Sequence, residues 1–223
     1  MTRRLWGAIM MIASVGAAAG SEEGRVFTLP EPSRTGEVSV EEAVALRRSV
    51  RDYSSGPLSL QQLSQLAWAA QGVTDEHRGF RAAPSAGATF PLELDLLVHG
   101  SDELPDGVYR YLPHDHALAL RVRGDHRGAV SQAALHQTWL RAAPVILVIS
   151  AVTARTEARY GARAERYVYM EAGHVAQNVY LQATALGLAT VAVGAFDDDA
   201  LATILELAGS ERPLYVLPLG RAR

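Results

Sequence analysis

One long amphipathic stretch constrains this chain more than any other part of it. From about Thr156 to Leu186, the residues Val168, Ala172, Val175, Ala176, Val179, Ala183 and Leu186 form an apolar stripe at helical spacing, and Gly187 ends the pattern. Just before it, Pro144 to Val152 is a continuous apolar, β-branched run with the length of a buried strand. The remaining elements supply the partners. Ser39-Val40-Glu41-Glu42 reads as a capping box opening a helix with Val40, Ala43 and Val44 on one face. Ser59-Leu60-Gln61-Gln62 caps a second helix with a stripe of Leu60, Leu63, Leu66, Ala67 and Ala70. Leu92 to Val98 reads as a strand, and Gly107–Leu112 with Ala117–Val122 as a hairpin around Pro113-His114-Asp115-His116. A helix is expected over Gly128–Leu140, a strand over Thr190–Val193, an acidic-capped helix near Asp197-Asp198-Asp199 and a last strand over Leu214–Leu219. Strands and helices intermix, yet no βαβ unit carries G-x-G-x-x-G. The fold class is therefore α+β, a mixed or antiparallel sheet flanked by helices around one long central helix, and not a dinucleotide-binding doubly wound sheet.

At 223 residues, the chain is long enough for one sizeable domain. A net charge of −3 argues against a nucleic-acid partner. The chain has no cysteine, which excludes disulfides, thiolate nucleophiles and iron–sulfur clusters. All 21 basic residues are arginine, which excludes a Schiff-base lysine and a Walker-type phosphate lysine.

Residues 1–24 read as a targeting segment. Arg3 and Arg4 begin it, Leu5 to Val15 is an apolar run too short for an ordinary membrane span, and Ala17-Ala18-Ala19 offers a cleavage site. Thr2-Arg3-Arg4-Leu5-Trp6 partly matches a twin-arginine signal, and an uncleaved anchor is the alternative. Residues 25–37 read as a linker, inside a Pro-, Glu-, Ser- and Gly-rich stretch, and the domain spans 38–223.

Three arginines and a serine crowd into Arg47-Arg48-Ser49-Val50-Arg51 at a helix end. Alone, that is either an anion site or a charged helix C-terminus complementing the dipole. Two distant segments add to it: Pro84-Ser85-Ala86-Gly87 and Gly220-Arg221. A phosphorylated flavin needs forked guanidinium groups for its phosphate and close backbone N–H groups for its ring. Arg47, Ser49, Arg51 and Arg221 suit the first need. The turns at Ala86-Gly87 and Val193-Gly194-Ala195 suit the second, because glycine lets the backbone approach closely. Read alone, Ser85 and Gly87 are a helix N-cap and turn before they are a ring contact.

Five motifs in order carry a resemblance. They are Arg47–Arg51; Pro84-Ser85-Ala86-Gly87-Ala88-Thr89-Phe90-Pro91-Leu92-Glu93; Tyr169-Met170-Glu171-Ala172-Gly173-His174-Val175-Ala176-Gln177-Asn178; Gly187-Leu188-Ala189-Thr190 with Val193-Gly194-Ala195-Phe196-Asp197-Asp198; and Leu217-Pro218-Leu219-Gly220-Arg221. Over residues 38–222 the chain resembles the nitroreductase superfamily, in particular the branch related to the thiazole-forming dehydrogenases of peptide-toxin clusters. The resemblance implies FMN as cofactor, a homodimer with two sites at its interface, and two-electron hydride transfer through flavin N5. By position it implies that Arg47, Ser49 and Arg51, with Arg48 as neighbour, contact the phosphate, ribityl chain and pyrimidine edge. Gly220 and Arg221 would hold the phosphate. Val193, Gly194 and Ala195 would lie near N5, and Pro84, Ser85, Ala86 and Gly87 would complete the other subunit's site. The substrate would be a small organic or peptide-derived molecule, and NAD(P)H is one donor the resemblance allows, although export would separate the enzyme from it. A flavin-carrying module without turnover, and a subunit of a peptide-modifying complex, are the rival readings.

The thiazole-forming branch is associated with a Lys–Tyr pair, and this chain has no lysine. Tyr167 and Tyr169 remain as proton donors or as packing residues. No catalytic acid or base is assigned. His114-Asp115-His116 reads as a solvated hairpin tip and not a metal site, since two ligands rarely make one. Arg155, Arg159, Arg163 and Arg166, interspersed with Glu157 and Glu165, read as a salt-bridged solvated face. His174 reads as a satisfied buried histidine.

Overall fold

The computed structural model describes residues 24–223. The targeting segment therefore lies outside the described residues, except for its last residue. Seven strands form one sheet in the order β1-β6-β5-β4-β7-β9-β8. They are β1 (Val26–Thr28), β4 (Leu92–Val98), β5 (Gly107–Leu112), β6 (Ala117–Arg123), β7 (Val145–Ala151), β8 (Ala189–Thr190) and β9 (Arg212–Gly220). Every pairing within it is antiparallel. A separate small hairpin joins β2 (Val73–Asp75) to β3 (Phe80–Arg81). β1 falls inside the stretch read as linker, where it adds an edge strand to β6.

β7 is buried along its whole length because both its faces are covered, which is why its sequence is a continuous apolar run. Alternate residues go to opposite layers. Leu96, Leu147 and Leu217 stand opposite one another on one face, packed against α2 (Leu60–Gln71) and α5 (Ala164–Ala185). Leu97, Ile146 and Val216 belong to the other face, under α3 (Arg127–Ala133) and α6 (Asp198–Ile204). The polar end of that second face is a buried ion network. Arg110 forks onto Asp95 at 3.0 and 2.8 Å and reaches Glu211 at 2.7 Å, while the Ser150 hydroxyl donates to Glu211. Burial lifts the Asp95 carboxyl above its ordinary range, and Arg110 and Arg121 oppose this; the two-pronged contact is that of an ionised carboxylate.

The expected single helix over Thr156–Leu186 is two helices. α4 (Ala154–Tyr160) ends at Gly161, whose φ of +52° is a left-handed conformation, and one 3-10 turn leads into α5. At its other end α5 stops as the sequence predicts. Gly187 takes φ +66°, its N–H reaches Thr184 O at 3.0 Å and the Leu188 N–H reaches Ala183 O at 2.8 Å, which is a Schellman closure. The expected helix over Gly128–Leu140 is also interrupted. α3 stops at Ala133, Leu135 and His136 take positive φ, and a 3-10 turn covers Thr138–Ala142. The expected strand over Thr190–Val193 is the two-residue β8 plus an isolated bridge from Val193 to Val216.

Ser59 forms the full reciprocal capping box with Gln62, and the Ser39 hydroxyl accepts the Glu42 N–H at the start of α1 (Val40–Leu46). The apolar face expected for α1 is not covered within one chain: Ala43 is buried, but Val40 and Val44 are 69% and 55% exposed.

Candidate functional site

The chain following α1 runs beside the C-terminal tail. Ser49 bridges Thr190 in parallel, and the Val50 N–H reaches Thr190 O at 3.0 Å. Tyr53 bridges Ala222, and the Ser54 N–H reaches Arg221 O at 2.9 Å. Residues 140 to 169 positions apart in sequence are thus backbone neighbours, which gathers Arg47, Arg48, Ser49, Arg51, Gly220 and Arg221 in one region. Tyr53 is the buried anchor. Its hydroxyl donates to Val50 O at 2.6 Å, and burial raises its phenol above the ordinary range, so it stays a fixed donor. Gly220 leaves room for it: a Cβ there would lie 2.9 Å from Pro144 Cδ and 3.2 Å from Tyr53 Cδ1.

A second tyrosine ties the region together. Tyr180, on α5, accepts the Ala192 N–H at 2.8 Å and shares a 3.1 Å hydrogen bond with the Ser49 hydroxyl. The Arg47 guanidinium lies 5.1 Å from the centre of its ring, and that of Arg51 lies 5.8 Å from the Trp139 ring. Arg48 is committed differently: it donates to Ala45 O and Arg47 O, both at 2.8 Å, closing the end of α1. Among the described residues, no carboxylate lies within 4.0 Å of Arg47, Arg51 or Arg221. Thr190 Oγ1, beside the Ser49 bridge, is buried without a hydrogen-bond partner. Guanidinium groups without carboxylate partners, on a loop whose backbone runs beside an orphaned hydroxyl, have the chemistry to bind an anion.

Immediately after Ala192, Val193 exchanges both backbone hydrogen bonds with Val216, and Gly194 and Ala195 lie exposed. A Cβ at Gly194 would meet Tyr215 at 3.7 Å, an ordinary contact, so packing within the chain does not demand this glycine. The turn is held from its far side. Gln137 Nε2 donates to Ala195 O at 3.1 Å, and the Asp197 N–H to Ala133 O at 2.8 Å.

Pro84–Gly87 is not brought to this cluster. It packs against α4 and the N-terminal half of α5. Arg159 donates to Gly87 O at 3.0 Å, and Arg155 to Phe90 O at 3.0 Å and to Glu93. Glu171, which faces this turn, precedes Tyr180 on α5 by nine residues, or about 13 Å of helix. Arg155 and Arg159 are therefore clamps on the turn, where the sequence suggests a solvated ionic face. Two further expectations are corrected. His116 is not solvated: its ring is 2.7 Å from Ser64 Oγ and 2.9 Å from Tyr111 OH, because the chain turns inward there with φ +44°. His174 is exposed in the single chain, one step off the buried stripe of α5. Tyr169 is exposed too and donates to Glu165 at 2.6 Å. A separate cavity of about 550 Å³ between α1, α2 and α5, lined by Gln65, Trp68, Asn178 and Gln182 among others, contains none of the residues singled out for cofactor binding.

A family model described as the nitroreductase family matches residues 44–221. The chain belongs to the nitroreductase family. A Methanocaldococcus jannaschii protein named as a candidate nitroreductase is 48% identical over 186 residues, covering 83% of this chain and 92% of its own. The crystal structure of a candidate nitroreductase from Ralstonia eutropha JMP134 superposes with a TM-score of 0.80 at 34% identity, over 92% of this chain and 93% of that one. An Escherichia coli microcin synthetase McbBCD complex with truncated pro-MccB17 bound matches at TM-score 0.67 over 96% of this chain and 85% of that one. At 22% identity it shares the fold. Family membership makes this protein an oxidoreductase enzyme.

Proposed function

We propose that this nitroreductase-family protein is an FMN-dependent oxidoreductase acting as a homodimer on a small organic or peptide-derived substrate. The observation that carries the reading is the gathering of Arg47, Arg51 and Arg221 without carboxylate partners, beside the orphaned Thr190 hydroxyl. Those three arginines and the Ser49 hydroxyl would hold the phosphate and its polar chain. The backbone of Val193, Gly194 and Ala195 would face the ring, held from behind by Gln137. Bound there, FMN supplies two-electron chemistry, with a hydride entering or leaving at N5. The chain's own work is to bind, orient and neutralise charge.

Two observations support a second copy as part of the site. The Pro84–Gly87 turn stands away from the arginine cluster of its own chain, and the apolar residues Val40, Val44 and Leu46 of α1 are uncovered. In a homodimer the partner's turn would close the ring site. NAD(P)H is a proposed donor for protein retained in the cell; if residues 1–24 direct export, a different donor is required. Cell fractionation of the full chain tests export, with recovery in the cytoplasm counting against it.

Flavin affinity tests the site. Arg47→Ala and Arg221→Ala each remove a charge-assisted phosphate contact and should weaken FMN binding about 10- to 150-fold, measured by fluorescence titration of the apoprotein. Parent-like affinity in both variants contradicts the assignment. Full FMN occupancy without turnover across nicotinamide, quinone and oxygen couples would make the protein a flavin carrier.

A further inference from the structure

The core stripe of α5 contains one acid. Glu171 is 2% exposed, three residues beyond Val168 and four before Val175, a position where the helix otherwise buries small apolar side chains. It faces the Ser85 hydroxyl, the Ala86 N–H and the Gln71 side chain, with the Arg81 guanidinium as its charged neighbour. Arg81 donates to Gln71 Oε1 at 3.2 Å and its guanidinium lies 4.4 Å from the centre of the Phe90 ring. Three atoms of this cluster, Glu171 Oε1, Gln71 Nε2 and Arg81 Nε, are buried without hydrogen-bond partners. A cluster so costly to bury calls for a compensating role.

It holds a strained turn. Gly87, Ala88 and Phe90 all take positive φ, between +44° and +60°. The Ser85 hydroxyl accepts the Phe90 N–H at 2.9 Å, so its proton is free to go to Glu171. On the outer side, a Cβ at Gly87 would lie 2.6 Å from the Tyr160 hydroxyl. Positive φ at two residues with side chains persists only where the surroundings over-determine it. Here α4 grips the turn from one side and Glu171 from behind.

We propose that Glu171 is a positioning residue: with Gln71 and Arg81 it fixes the backbone of Ser85 and Ala86 in the conformation that the turn presents to the flavin of the partner subunit. The destination of the turn rests on the function proposed above; its fixing by Glu171 does not. Burial keeps the carboxyl above its ordinary range, so a neutral amide of the same shape should replace it.

Hydrogen exchange of the apoprotein and FMN titration, run on the same variants, separate the two parts. Glu171→Ala should speed exchange at the Ala86 and Phe90 amides, weaken FMN binding about tenfold and shift the potential of the bound flavin. Glu171→Gln should restore all three. Glu171→Asp, which withdraws the acid by one methylene, should behave like Glu171→Ala and serves if that variant does not fold. Unchanged exchange at 86 and 90 in the Ala or Asp variant overturns the proposal, as does a Gln variant as impaired as the Ala variant. Faster exchange in a protein whose parent binds no FMN sustains the positioning role and removes the flavin reading alone.

Discussion

The hydroxyl of Tyr180 accepts the Ala192 N–H and shares a hydrogen bond with Ser49, so one helical side chain fixes both the arginine loop and the start of the glycine turn. Tyr180→Phe keeps the ring under Arg47 and deletes only those bonds. It should cost about 0.5–1.5 kcal/mol of FMN affinity, a two- to twelve-fold rise in Kd read by fluorescence titration. Glu171 makes a prediction in pH. Burial raises its folded-state value above the unfolded one near 4.5, against the Ser85 hydroxyl, the Ala86 N–H and Arg81. The native state then binds the proton more tightly. Its contribution is complete below the unfolded value and is lost as pH rises through the folded value. Urea unfolding of Glu171→Gln and the parent should therefore diverge in the variant's favour as pH rises above 4.5; a difference independent of pH contradicts this.

Elements with a strong period were legible in the sequence. β4, β7, α2 and the buried stripe of α5 follow directly from apolar spacing, because burial on one or two faces dictates it. Boundaries were not, where a single residue's backbone decides. Gly161 divides α4 from α5 through a left-handed φ that no periodicity records, and β1 is three residues whose only signal is its pairing with β6. The site divides in the same way. Arg47, Ser49, Arg51 and Arg221 declare their chemistry by type, but Tyr53, Tyr180 and Gln137, which bring the segments together, look like ordinary packing or surface residues. Glu171 did carry a signal, an acid at a stripe position. The C-terminal closure of α5 gives an element-scale test. Gly187→Ala must hold φ +66° with a Cβ, so it should destabilise the fold by about 1–2 kcal/mol and lower the Tm; an unchanged Tm contradicts the Schellman assignment.

At the scale of the whole molecule, the antiparallel sheet brings β8 and the residues following β9 beside the loop after α1, and so assembles one half of the proposed site. The other half, Pro84–Gly87, is carried elsewhere on the same chain. Such a division makes sense of the uncovered valines of α1. The most direct test is the absorbance spectrum and native mass of the protein purified without residues 1–24. The account predicts a dimer carrying one FMN per chain. A folded protein that neither retains FMN nor takes it up when it is added would contradict it.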